Sequence, residues 1–191
     1  MKILFIGNSY TYFYDLPKLF ENVCKENGVD VETDSVTCGG YTLEQFASDD
    51  DEHGRRAKEL LSNEKYDYVV LLEQSSRPAE DTEKFCSSAK ELVSLIRKNG
   101  AKPVFYETWG RADWSEDLPY FGWTHEQMQE KLKAAYEKAA KENDAIIVYA
   151  GERIHEAYRR GEEVFDKDGS HPSPAGSEIA AREFCKTLFN K

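Results

Sequence analysis

The segment Lys2-Ile3-Leu4-Phe5-Ile6-Gly7-Asn8-Ser9-Tyr10-Thr11 decides how this chain is built. Residues 3–6 are apolar without a break, and the run stops at a glycine followed by polar side chains. It is too short for a helix. An unbroken apolar run suits a strand covered on both faces, as strands of parallel sheets are. A helical pattern begins soon afterwards, so the chain reads as strand, tight turn, helix.

The same unit recurs downstream. Further strands are predicted over 31–37, 68–72, 103–107 and 145–149, most of them short apolar runs. Helices lie between them. One over 16–27 opens after Asp15 with Pro17 in its first turn and closes at Gly28, the favoured order of proline in and glycine out. Asp81 or Thr82 caps a second, which runs to Asn99 and stops at Gly100. Thr124-His125-Glu126-Gln127 is a capping-box pattern for a third, reaching Asn143. Ser173-Pro174 starts the last one. Alternation of this kind predicts one domain over 1–191, a three-layer α/β/α sandwich around a five-stranded, mostly parallel sheet.

Composition narrows the function. The 191 residues are 40% hydrophobic and 32% charged, ordinary for a globular protein, and the net charge is -11. An acidic surface repels nucleic-acid phosphates and anionic lipid, so neither is an expected partner. The four cysteines, Cys24, Cys38, Cys86 and Cys185, lie far apart without metal-ligand spacing, and read as reduced thiols in or near the core. No metal or other cofactor is implied. No segment approaches the about 20 apolar residues of a membrane span, and Asn8 and Ser9 end the first apolar run before it resembles a signal sequence. A cytoplasmic location is expected; oligomeric state is not legible.

Two irregular segments stand out. Asp49-Asp50-Asp51-Glu52 reads as a solvated turn or helix edge. Residues 108–123 carry all three tryptophans, Trp109, Trp114 and Trp123, with Tyr120 and Phe121. That stretch is either a wall facing substrate or a loop folding its aromatics onto the domain.

Ligands of open α/β sheets sit at the carboxyl ends of the strands, which is where Ser9 falls. Gly7 permits the tight turn that presents its hydroxyl, and the amides opening the next helix would favour a developing negative charge. A Gly-x-Ser at a strand end is, alone, usually a plain turn. Serine also needs a base. Of the four histidines, His53, His125 and His155 read as structural, with His155 on the surface. His171 differs, because Pro172 holds its backbone extended and Asp168 precedes it by three residues. Asp168 would orient the imidazole and stabilise its charged form when Ser9 gives up a proton.

In this order the residues resemble the SGNH, or GDSL-like, hydrolase superfamily. Gly7-Asn8-Ser9 stands where many members have Gly-Asp-Ser, Gly39-Gly40-Tyr41-Thr42 follows the second strand, and Asp168-x-x-His171 closes the set. The resemblance spans nearly the whole chain and implies a flavodoxin-like sandwich. It implies Ser9 as nucleophile, and an oxyanion hole from the amides of Ser9 and Gly40. The third block departs: members usually carry Gly-x-Asn-Asp, whereas this chain reads Glu73-Gln74-Ser75-Ser76-Arg77-Pro78, like a bacterial branch with Glu-Gln-Ser here. Gln74 offers the same carboxamide donor on a longer arm and is the expected third donor; Ser75 offers a hydroxyl. Glu73 would bind a backbone amide or structure the loop.

The expected activity is hydrolysis of a small acyl ester through an acyl-enzyme. Trp109 and Tyr10 are expected to contact substrate. Asp113, Glu116 and Asp117 beside the aromatics suit a sugar ring, which favours carbohydrate O-deacylation over an acyl chain. Two rivals are a flavodoxin-like protein whose Asn8-Ser9-Tyr10-Thr11 turn cradles a flavin phosphate, and a catalytically inactive interaction module.

Overall fold

The computed structural model describes residues 1–191. Five strands, β1 (Lys2–Gly7), β2 (Glu32–Thr37), β3 (Tyr68–Leu71), β4 (Lys102–Tyr106) and β5 (Ile146–Val148), form one sheet in the order β2-β1-β3-β4-β5. Each pairing is parallel, so the sheet is wholly rather than mostly so. The order is that of the flavodoxin-like doubly wound fold, whose reversal point lies beside β1. Every predicted strand is present to within one residue at either end.

Ten helices complete the chain: α1 (Ser9–Tyr12), α2 (Leu16–Glu26), α3 (Leu43–Ala47), α4 (Glu52–Asn63), α5 (Arg77–Glu80), α6 (Thr82–Asn99), α7 (Leu118–Phe121), α8 (His125–Asn143), α9 (Ala150–Arg159) and α10 (Pro174–Phe189). The predicted caps hold. The Asp81 carboxylate accepts from the Lys84 amide, the Thr124–Gln127 capping box closes in both directions, and Ser173 Oγ accepts from the Gly176 amide. The acid run turns out to start α4, with Asp51 accepting from the amides of His53 and Gly54.

Strand side chains alternate between two cores. Ile3, Phe5, Val70, Val104 and Tyr106 pack under α2, α9 and α10 with Phe20, Ile154 and Phe184. Leu4, Ile6, Val69, Leu71 and Phe105 pack on the other face with Phe46, Phe85, Leu92 and Tyr136. Burying a residue of this size contributes about 1.5–3 kcal/mol. Two filled faces force an open sheet whose functional edge is the row of carboxyl ends. Cys24, Cys86 and Cys185 are buried in these cores, Cys38 is half-buried, and all four are free.

Candidate active site

Four of those carboxyl ends supply the loops of one site. At the end of β1, Gly7 is required by space, because a Cβ there would lie 2.5 Å from Thr11 Oγ1 and 2.9 Å from Leu72 Cβ. Asn8 follows, only 2% exposed. Its Oδ1 accepts from the Tyr10 amide at 3.3 Å, while Nδ2 donates to the carbonyls of Tyr41 at 3.2 Å and Glu73 at 3.0 Å. One buried carboxamide therefore ties together the loops after β1, β2 and β3. Ser9 then opens α1. That helix is a single turn the sequence did not announce, and the long helix α2 starts at Leu16 as expected.

Ser9, Asp168 and His171 come together as the sequence predicts. His171 Nε2 lies 2.9 Å from Ser9 Oγ, and Nδ1 lies 2.5 Å from Asp168 Oδ2. The other carboxylate oxygen, Oδ1, accepts from the amides of Ser170 and His171, each at 2.9 Å. Burial works against charge on Asp168, but the bonds from the His171 ring and these two amides outweigh it and hold the carboxyl below its usual range. A carboxylate accepting from Nδ1–H leaves Nε2 as the acceptor, so the Ser9 hydroxyl donates to it. This chain of contacts can pass a proton from the serine to the imidazole and stabilise the resulting charge.

The second and third blocks border this trio. Gly40 adopts a left-handed φ of 72°, a region that favours glycine. Glu73 is 1% exposed, and its Oε1 accepts from the amides of Leu43 at 3.1 Å and Gln74 at 2.6 Å. It thus does both things expected of it: it binds amides and joins two loops. Burial pushes its carboxyl up to about 7. The Gln74 carboxamide oxygen accepts from the amides of Ser76 and Arg77, both at 3.0 Å, and Nε2 makes one long contact, 3.5 Å, to Ser75 Oγ. Its oxygen is engaged in the turn while its NH2 group is nearly uncommitted.

The aromatic segment corrects two expectations. Trp109 and Tyr10 are 0% and 2% exposed, so neither offers a ligand a face. They stack on each other with centroids 4.6 Å apart, and the indole Nε1 donates to the Ser170 carbonyl at 2.9 Å. The Ala112 amide donates to the Gly169 carbonyl at 2.8 Å. Residues 109–112 thus brace the Asp168–His171 turn from below, whereas Trp114 and Tyr120 remain exposed. His155 is not a plain surface residue either: its Nδ1 lies 2.8 Å from Nε2 of the fully buried His125. His125 Nδ1 in turn faces the Arg111 carbonyl at 2.8 Å. No motif marks such a pair in the sequence, since its members lie on different helices.

Arg111 and Phe13 escaped the sequence reading. The Arg111 guanidinium is buried and contacts Tyr10 Oη, Ser170 Oγ and Ser75 Oγ, three hydroxyls from three site loops, and forms no salt bridge. Phe13 lies flat on the His171 ring. Five surface cavities of about 220 to 600 Å³ are lined by other residues; one of about 370 Å³ beside α2, α9 and α10 is lined by Arg153, Arg182 and Lys186 among others, and by no residue of this site.

No protein-family model matches the chain, and no curated protein matches it. Solved structures do. A candidate SGNH hydrolase from Slackia heliotrinireducens superposes with a TM-score of 0.87 at 29% identity, over 98% of both chains. A DUF4886 family protein from Bacteroides uniformis gives 0.83 at 19% identity, over 100% of this chain and 83% of that one. An acetylxylan esterase from Geobacillus stearothermophilus gives 0.71 at 16% identity, over 98% and 94%. The last two likenesses are of fold alone.

Proposed function

We propose that this chain, whose fold is that of the SGNH/GDSL-like hydrolases, is a serine-dependent ester hydrolase working through an acyl-enzyme. The observation that carries the reading is the unbroken contact chain Ser9–His171–Asp168 at 2.9 and 2.5 Å. Ser9 and the Asp168–His171 pair come from opposite ends of the sequence. In this reading His171 takes the Ser9 proton as Oγ attacks the ester carbonyl, then returns it to the departing alcohol. Water attacks the acyl-enzyme by the same route in reverse. Ser9 and Gly40 amides and the free Gln74 NH2 stabilise the oxyanion.

The flavin-phosphate alternative is disfavoured by the turn itself. The Tyr10 amide is taken by Asn8 Oδ1 and the Thr11 amide by the Asn8 carbonyl, leaving few donors for a phosphate. On the substrate side, acetylxylan and acetyl-xylooligosaccharide esterases are among the structural neighbours. They support a short acyl group on a carbohydrate alcohol. The test is hydrolysis of p-nitrophenyl acetate and butyrate by wild type, Ser9→Ala and His171→Ala, with folding followed by circular dichroism. Turnover lost in both folded variants supports the reading; equal rates in all three would contradict it.

A further inference from the structure

Ser9 and Tyr12 lie three residues apart on the single turn α1 and so share its outward side. The two residues between them, Tyr10 and Thr11, are the buried ones. Tyr12 is 46% exposed. Its hydroxyl also reaches the second loop, since a Cβ at Gly39 would stand 2.9 Å from it. Phe13 stacks on His171 with centroids 4.2 Å apart. Tyr14 is 44% exposed, and its hydroxyl donates to Asp166 Oδ2 at 3.1 Å. Phe13 thus covers His171, Tyr12 and Tyr14 lie on either side of it with ring centroids 5.8 and 6.2 Å away, and the two tyrosines add nothing to the core.

The backbone supports a reason for this display. Tyr14 and Asp15 are both left-handed, with φ of 51° and 52°. For a bulky residue this conformation is uncommon. The other non-glycine residues with positive φ, Asp144 and Asn190, each cap the C-terminus of a long helix, an ordinary place for it. Tyr14 and Asp15 instead turn the chain between α1 and α2, leaving Tyr12 and Tyr14 facing solvent. Strain of this sort concentrates where the backbone presents side chains to a ligand.

We infer that Tyr12, Phe13 and Tyr14 form the subsite for the alcohol half of the substrate, and that the alcohol is a neutral pyranose ring. The inference rests on the ester-hydrolase reading and extends it. Tyrosines give broad, rigid faces with a polar edge, which suits the C–H face and hydroxyls of a sugar. Asp15 and Asp166 flank them as hydrogen-bond acceptors and, with Asp168, would repel an anionic alcohol. The open setting of the rings suits a large polar group better than an acyl chain, which needs enclosure.

The test compares wild type, Tyr12→Ala, Tyr12→Phe and Tyr14→Ala on acetylated xylooligosaccharides and on ethyl acetate. The expected result is a fall of about tenfold, or ~1.4 kcal/mol, in the kcat/KM ratio of oligosaccharide to ethyl acetate for each alanine variant, carried by KM. Tyr12→Phe retains most of the preference. An unchanged ratio would overturn the inference, as would an effect that instead separates acetyl from butyryl esters of one alcohol. Binding of the same oligosaccharides to Ser9→Ala, followed by tyrosine NMR signals, needs no turnover. Binding that weakens in Ser9→Ala/Tyr12→Ala supports the subsite even if ester hydrolysis fails, and absence of binding refutes it even if ethyl acetate is hydrolysed.

Discussion

The Phe13 ring lies flat against the His171 imidazole, centroids 4.2 Å apart and planes within 14°. Tyr10 meets the same imidazole edge-on at 5.4 Å. The His171 imidazole is therefore held by two aromatic rings as well as by Asp168. Phe13→Ala should leave the protein folded, because Phe13 is only half-buried, yet lower kcat by roughly tenfold, short of the 100-fold that a misplacement of about 1 Å costs. Phe13→Tyr should keep most of the rate. Steady-state kinetics on p-nitrophenyl acetate decides it, and a fall confined to KM would show that the ring does not position the base.

Asn8 stands where Gly-Asp-Ser chains have aspartate, and its partners explain the difference. Nδ2 faces two carbonyls, those of Tyr41 and Glu73. A carboxylate there would set like partial charges together in a buried place, costing about 1–3 kcal/mol or more. Asn8→Asp should melt well below wild type at pH 7. A carboxyl with a raised folded pKa favours the native state at low pH, so the deficit should shrink as pH falls toward about 4. Thermal melts across that range check the claim; a constant deficit would contradict it.

Gln74 does two things at once, and the two can be separated. Its oxygen accepts from the Ser76 and Arg77 amides, while its NH2 is the proposed oxyanion donor. Gln74→Glu keeps the acceptor and removes the donor. It should melt near wild type but lose roughly 100- to 1,000-fold in kcat, the usual cost of one oxyanion donor. A normal rate with a normal melt would take Gln74 out of the site.

Much of this was legible because parallel strands and helix caps are local signals. Apolar runs marked four of the five strands, β2 being mostly polar, and Asp81, Thr124 and Ser173 marked their helices. Helices α3 and α4 went unrecognised for physical reasons. The first is five residues long, and in α4 only Gly54, Ala57 and Leu61 are buried among charged neighbours. The meeting of Ser9, Asp168 and His171 was foreseeable because a serine at a strand end and a local Asp-x-x-His are both visible in sequence. The sidedness of the aromatic loop was not, since burial of Trp109 depends on its stack with Tyr10, 99 positions earlier by their numbering. Arg111 and the His125–His155 pair were hidden likewise, as each is defined by partners brought near only by folding.

Glu107 at the end of β4 gives a pH signature of its own. It is fully buried, Oε2 accepts from the Glu152 amide at 3.0 Å, and Oε1 has no partner. Burial pushes its carboxyl up to about 8. A raised carboxyl keeps its proton in the folded protein, so its contribution to stability is complete below the unfolded value of about 4.3 and is lost as pH rises through about 8. Glu107→Gln mimics the protonated acid and should flatten the decline in melting temperature between pH 5 and 8. An unchanged slope would assign the decline to other groups, Glu73 first among them.

The most direct measurement is covalent labelling by a fluorophosphonate, read by intact mass and peptide mapping. Ser9 activated by His171 should yield one adduct, located on Ser9, absent from Ser9→Ala and formed much more slowly in His171→Ala. A folded wild-type protein that takes no label, or one labelled equally well without Ser9, would contradict the serine mechanism.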